Sequence, residues 1–204
     1  MNVRSFLRIS LLAVMAASAS FAANISFTGT FGADDQVQLF DIVLGTSGDI
    51  TFQSYGSGGG VNSAGATIPA GGFDSYFTWY AGDGTQIGHD DDGCGLANTT
   101  PNGCADAFFH GFLDAGNYVL ALTLSGNVPN GALADGFSGS PGFSCSGSFC
   151  DVFGVAHTGN WAVDILTVDS ASPSSAPEPA TFFLVPASLA LAGLLRRRKA
   201  LLKH

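Results

Sequence analysis

Phe73-Asp74-Ser75-Tyr76-Phe77-Thr78-Trp79-Tyr80 is the stretch on which the fold turns. Side chains of an extended strand alternate between two faces, so Phe73, Ser75, Phe77 and Trp79 form one row. Asp74, Tyr76, Thr78 and Tyr80 form the other. One row should pack in a core; the other, with Tyr76 and Tyr80 side by side, should be exposed or half buried. The stretch runs into Ala81-Gly82-Asp83-Gly84, whose Asp-Gly pair is a strong hairpin signal. Thr85-Gln86-Ile87-Gly88 then leads back to His89-Asp90-Asp91-Asp92-Gly93-Cys94.

The same alternation extends in both directions. Further strands are predicted over residues 25–31, 37–44, 49–55, 85–89, 107–112, 118–124 and 161–168. In the first, Ile25, Phe27, Gly29 and Phe31 share a face. In the second, the phase changes near Leu39 and Phe40, after which Phe40, Ile42 and Leu44 oppose Asp41 and Val43. Glycine-rich turns separate these runs, and no helical period with caps competes with them. About eight short strands in roughly 150 residues fit a single domain. The expected fold is all-β, a β-sandwich or jelly roll over residues 23–169. The Gly/Ser stretches 56–72 and 127–147 lack periodicity and read as mobile loops.

Charge divides the chain more sharply than hydropathy does. Between Asn24 and Ala176 there is no Lys, Arg or Glu, but there are fifteen Asp. All seven basic residues lie at the ends: Arg4, Arg8, Arg196, Arg197, Arg198, Lys199 and Lys203. An acidic body of this kind repels a phosphate backbone, which argues against a nucleic-acid partner. Residues 1–22 read as a signal peptide, with Arg4 and Arg8 before a short apolar run and cleavage after Ala22. Residues 170–179 form a Ser/Ala/Pro tether, and 180–195 an uncharged stretch read as a single transmembrane helix. Residues 196–204 follow as a basic cytoplasmic tail. The chain is thus expected to be exported, to pass through an inner-membrane single-pass stage, and to end at the cell surface or outside the cell.

Four cysteines occur as the close pairs Cys94/Cys104 and Cys145/Cys150. In an exported chain, an even count with short spacing favours disulfides within each pair. The absence of any C-x-x-C spacing argues against a zinc site.

The run Asp90-Asp91-Asp92 carries the clearest chemical signal. No cationic side chain in the domain can neutralise it. Hard oxygen ligands on a glycine-bounded loop suit Ca²⁺. Asp90 and Asp92 could point the same way, with Asp83 or Asp106 approaching from a neighbouring segment. Enzymatic signatures are missing: no G-x-S-x-G elbow, H-E-x-x-H, P-loop or dinucleotide-binding glycine pattern occurs. No pair among the fifteen Asp stands out for glycoside chemistry. A small secreted hydrolase is the least favoured reading.

Two resemblances add to this. Pro177-Glu178-Pro179, followed by the apolar stretch and the stop Arg196-Arg197-Arg198, resembles the PEP-CTERM sorting signal. That resemblance implies processing by an exosortase-type membrane protease and delivery to the surface or the extracellular polymer. The run 73–80, with Asp83-Gly84, Asp90-Asp91-Asp92 and Leu113-Asp114-Ala115-Gly116-Asn117-Tyr118-Val119-Leu120, resembles bacterial pre-peptidase C-terminal β-sandwich modules. It is also similar to PEP-CTERM proteins of undefined function. Together these imply a non-catalytic surface or matrix protein associated with extracellular polysaccharide. The alternative is a Ca²⁺-dependent carbohydrate-binding module that stacks sugars on Tyr76, Tyr80 or Trp79.

Overall fold

The computed structural model describes residues 22–93, 105–139 and 143–174. Within them the chain forms β1 (Ala23–Thr30), β2 (Gln38–Leu44), β3 (Gly48–Ser54), β4 (Gly60–Val61), β5 (Thr67–Ile68) and β6 (Ser75–Ala81). Then follow β7 (Gln86–Asp90), β8 (Phe108–Leu113), β9 (Gly116–Leu124), β10 (Asn160–Val168) and β11 (Ser170–Ser174). All pair antiparallel, in a four-stranded sheet β1-β10-β3-β8, a five-stranded sheet β11-β2-β9-β6-β7, and the small hairpin β4-β5.

The two larger sheets share one core. Phe52, Val163 and Ile165 enter it from the first, and Phe40, Ile42, Phe77, Leu120 and Leu122 from the second. The Phe52 ring meets Phe77 at 6.5 Å and Trp79 at 6.1 Å, both edge-on, the favoured geometry for aromatic pairs. The predicted phases hold in detail. Phe40, Ile42 and Leu44 are buried while Val43 is exposed, and Leu39, on the opposite face, joins a second cluster with Tyr80 and Ala121.

That second cluster explains a difference at β6. Tyr76, Thr78 and Tyr80 were expected to face solvent at least in part, yet Thr78 and Tyr80 are fully buried. Leu133 and Phe137, from the segment after β9, pack over this face of the sheet. That segment contains a 3₁₀ turn at Leu133–Asp135 and a bridge between Pro129 and Phe137. Asn127, wholly buried, accepts Gly139 N at 2.8 Å and donates to Asp35 O at 3.1 Å. Much of the expected mobile loop is therefore a built cover over the sheet.

Three strands lie outside the eight predicted. β4 and β5 have two residues each, too short to show a period. β11 occupies the first half of the expected tether and pairs with β2 from Ser170 opposite Val43 to Ser174 opposite Leu39. Pro173 is tolerated there because β11 is an edge strand, where one face of the ladder makes no hydrogen bonds. Among the described residues the fold is all-β, with eleven strands in three sheets, in place of an eight-strand sandwich or jelly roll.

The membrane reading is also corrected. Among the described residues no helix is long and apolar enough to cross a membrane. The expected helix at 180–195 lies outside them, as do Pro177-Glu178-Pro179, Arg196-Arg197-Arg198 and residues 1–21 of the signal segment. A run of that length covers only about 24 Å as a helix, short of the roughly 30 Å hydrocarbon core. The single-pass membrane stage is accordingly dropped. The Cys145–Cys150 disulfide is present, with its Cα atoms 5.7 Å apart. Cys94 and Cys104 lie outside the described residues.

Candidate metal centre

β6 and β7 form an antiparallel hairpin in which Phe77 stands opposite Asp90. Continuing that register, the residue just before β6 and the residues just after β7 must meet at one end. They are Asp74 on one side and Asp91 and Asp92 on the other. One carboxylate oxygen from each lies within 4.8 Å of the others, a group that could hold a metal ion. The three differ in access: Asp74 is buried, Asp91 half-buried and Asp92 exposed.

Asp74 is the unusual member. It is only 9% exposed, fixed between the buried Phe73 and Ser75, and its carbonyl accepts Ser125 N at 2.8 Å. Its Oδ1 is buried without a hydrogen-bond partner among the described residues, and so is Asp91 Oδ1. A buried carboxylate left without partners is costly, and proteins ordinarily pair it, bind it to a metal or let it protonate. Burial, followed by repulsion from Asp91, Asp92, Asp151 and Asp106, raises the Asp74 pKa from 3.8 to about 7. Burial also raises Asp91, against a hydrogen bond from Ser125 that lowers it. No Lys or Arg exists between residues 24 and 176 to relieve either group.

Of the residues expected to ligate metal, Asp92 is in this group and the others are placed elsewhere. Asp90 spends Oδ1 on Phe108 N at 2.8 Å, tying the end of β7 to the start of β8. Asp83 lies at the other end of the hairpin, roughly 20 Å away along seven strand residues. There its Oδ1 accepts Thr85 N at 2.9 Å, and backbone and side-chain hydrogen bonds from Thr85 lower its pKa. Asp106 is buried and accepts Ser54 Oγ at 2.9 Å, Ser57 N at 3.1 Å and Gly58 N at 2.6 Å. Asp74 and Asp91 were not singled out from the sequence. The hairpin signal at Asp83-Gly84 was the available clue, because folding the chain there brings 74 opposite 91–93.

Tyr76, Trp79 and Tyr80 do not form a sugar-stacking platform. Trp79 packs in the core 4.3 Å from Phe109, Tyr80 is fully buried, and Tyr76 stacks on His89 at 5.6 Å. No protein-family profile matches the chain, and no curated protein matches it.

Proposed function

We propose that this is a non-catalytic protein of the cell surface or extracellular matrix, associated with polysaccharide, and that Ca²⁺ at Asp74, Asp91 and Asp92 rigidifies it. The observation that carries the metal assignment is the buried Asp74 Oδ1, unpartnered among the described residues, beside two further carboxylates in a domain without Lys or Arg. An all-oxygen, all-carboxylate donor set suits a hard cation that accepts flexible geometry, which is Ca²⁺ rather than Zn²⁺. The exposed Asp92 leaves room for waters or polymer oxygens to complete six to eight ligands. The disulfide Cys145–Cys150 supports an oxidising compartment.

Bound there, Ca²⁺ would join the start of β6 to the end of β7 and neutralise a repulsion that no Lys or Arg in the domain relieves. The test is thermal unfolding of the full-length protein in Ca²⁺, in EDTA, and in Na⁺ at matched ionic strength. A ligand at about 100 times its Kd adds about 2.7 kcal/mol, a rise of roughly 5–10 °C for a domain of this size. Asp91→Asn with Asp92→Asn should abolish that increment. A shift fully reproduced by Na⁺ would be screening alone, and would remove the metal from the reading.

A further inference from the structure

A cavity of about 350 Å³ opens between the end of β1, the start of β10 and the segment that follows β5. Thr28, Thr30, Thr158 and Asn160 supply its polar wall, and Ile68, Pro69 and Ala70 its apolar one. No charged side chain lines it. In so acidic a domain this neutrality is informative, because two buried carboxylates lie close by and both are turned to other work.

Those carboxylates fix the wall. Asp106 holds Ser57 N and Gly58 N, and Asp164 holds Ser63 N at 2.8 Å. The far end of the same segment is closed by Gly71 N to Ser57 O at 3.0 Å and Gly72 N to Gly56 O at 2.8 Å. Thr158 N then donates to Gly71 O at 3.0 Å, joining the segment to the approach to β10. The backbones are so close that a Cβ on Gly72 would stand 2.3 Å from Asn160 O. The stretch 56–72, which reads as a mobile Gly/Ser loop, is thus a pinned wall.

Its polar groups are also oriented. Thr30 Oγ1 donates to Asn160 Oδ1 at 2.9 Å, which leaves the amide NH₂ as the donor end. Thr158 Oγ1 donates to Gly71 O at 3.1 Å and keeps its lone pairs as acceptors. A small, fixed cavity with hydroxyl and amide groups and no charge suits a ligand that is itself neutral and rich in hydroxyls. Its volume is at the lower end for small-molecule sites, the scale of one ring rather than a long chain segment. A wall already held in place loses little entropy on binding.

We propose that this cavity is a subsite for one neutral pyranose unit of a polysaccharide. Its hydroxyls exchange hydrogen bonds with Thr28, Thr158 and Asn160, and its apolar face covers Ile68 and Pro69. The choice of a sugar rests on the matrix reading above, but the cavity includes none of the three metal-centre carboxylates.

The experiment is ligand-observed NMR of the full-length protein with methyl glycosides of glucose, galactose and mannose. Dextran serves as a neutral polymer and polygalacturonate as an acidic one, each with and without EDTA. At least one neutral glycoside should bind, equally well in EDTA, while polygalacturonate does not compete. Ala70→Trp fills the cavity from an exposed position on its rim. It should weaken binding by about tenfold or more without lowering Tm, and Thr158→Val should weaken it by several fold. The proposal is overturned if no neutral glycoside binds at about 20 mM, or if a folded Ala70→Trp protein binds as well as wild type. Loss of binding in EDTA with Ala70→Trp inert would also overturn it, by moving the sugar to the metal centre. Binding that persists while the Ca²⁺ thermal shift fails would remove the metal and leave the subsite.

Discussion

Gly29 stands opposite Trp161 in the β1–β10 ladder, and the indole occupies the space that a side chain at 29 would need. A Cβ on Gly29 would be 2.2 Å from Trp161 Cζ2. The arrangement recurs in the other sheet, where Gly88 faces Trp79 and a Cβ would be 2.3 Å from its Cζ2. Each tryptophan thus lies flat across a bare neighbouring strand. Gly29→Ala should cost about 1–3 kcal/mol, because the ring is wedged against Phe31 and Phe40 and has nowhere to move. Gly48→Ala, where no atom lies within 4 Å, should be neutral or mildly stabilising. Urea unfolding at constant m-value would measure both.

Asp164 is another heavily used carboxylate outside the metal centre. Almost wholly buried on β10, it accepts Ser26 Oγ at 2.5 Å, Tyr55 Oη at 2.8 Å and Ser63 N at 2.8 Å. Asp164→Ala strands three donors at once, and hydrogen bonds to a charged group are worth about 1.5–3 kcal/mol each. We expect a loss of roughly 3 kcal/mol or more, with Tyr55→Phe losing about half as much. Hydrogen exchange at Ser63 N should speed up in Asp164→Ala before global unfolding does. Unchanged exchange there would mean that Asp164 does not hold the 56–72 segment.

Alternation alone located all eight of the longer central strands, because one face of each meets a core and repeats with period two. Register and sheet assignment were not legible in the same way. Nothing local says that Gly29 pairs with Trp161, or that β2 lies between β9 and β11. The metal centre was half legible: three consecutive carboxylates without a cation marked Asp92, but Asp74 looked like one polar position in an alternating strand. Its importance appears only when the hairpin brings it against Asp91 and burial removes its water. The pinned 56–72 segment was opaque for a related reason. Its order comes from Asp106 and Asp164, which are distant in sequence and carry no periodic signature.

Thr167 has φ of 65°, in the left-handed region that a β-branched residue rarely adopts. It sits in β10 beside the irregularity at Ala23/Asn24, and its N–H donates to Asn24 Oδ1 at 3.3 Å. Its side chain is exposed, so strain is not offset by packing. Thr167→Asn should therefore stabilise the domain by about 1 kcal/mol, since Asn tolerates this backbone region. A rise of a few degrees in Tm would show it; a fall would mean that the Thr167 side chain makes contacts outweighing its backbone cost.

The pH dependence of stability reports on Asp74 directly. Its pKa is raised on folding, from 3.8 to about 7, by burial first and then by its acidic neighbours. Between these values the folded state binds more protons than the unfolded one, so stability must fall as pH rises through that window. Three pKa units correspond to about 4 kcal/mol, an upper bound because Asp91 titrates in the same cluster. In EDTA the protein should thus be more stable at pH 5 than at pH 8, the reverse of a domain held by carboxylate salt bridges. Asp74→Asn should flatten the profile and stabilise the protein at pH 8, because the amide removes the buried charge. Saturating Ca²⁺ should flatten it too, by keeping the carboxylate ionised and paired, and should do nothing in Asp74→Asn if Asp74 is a ligand. Urea titrations at pH 5, 6, 7 and 8 in the two media would decide it. Stability that rises with pH in EDTA would show that the Asp74 carboxylate is already satisfied without a cation.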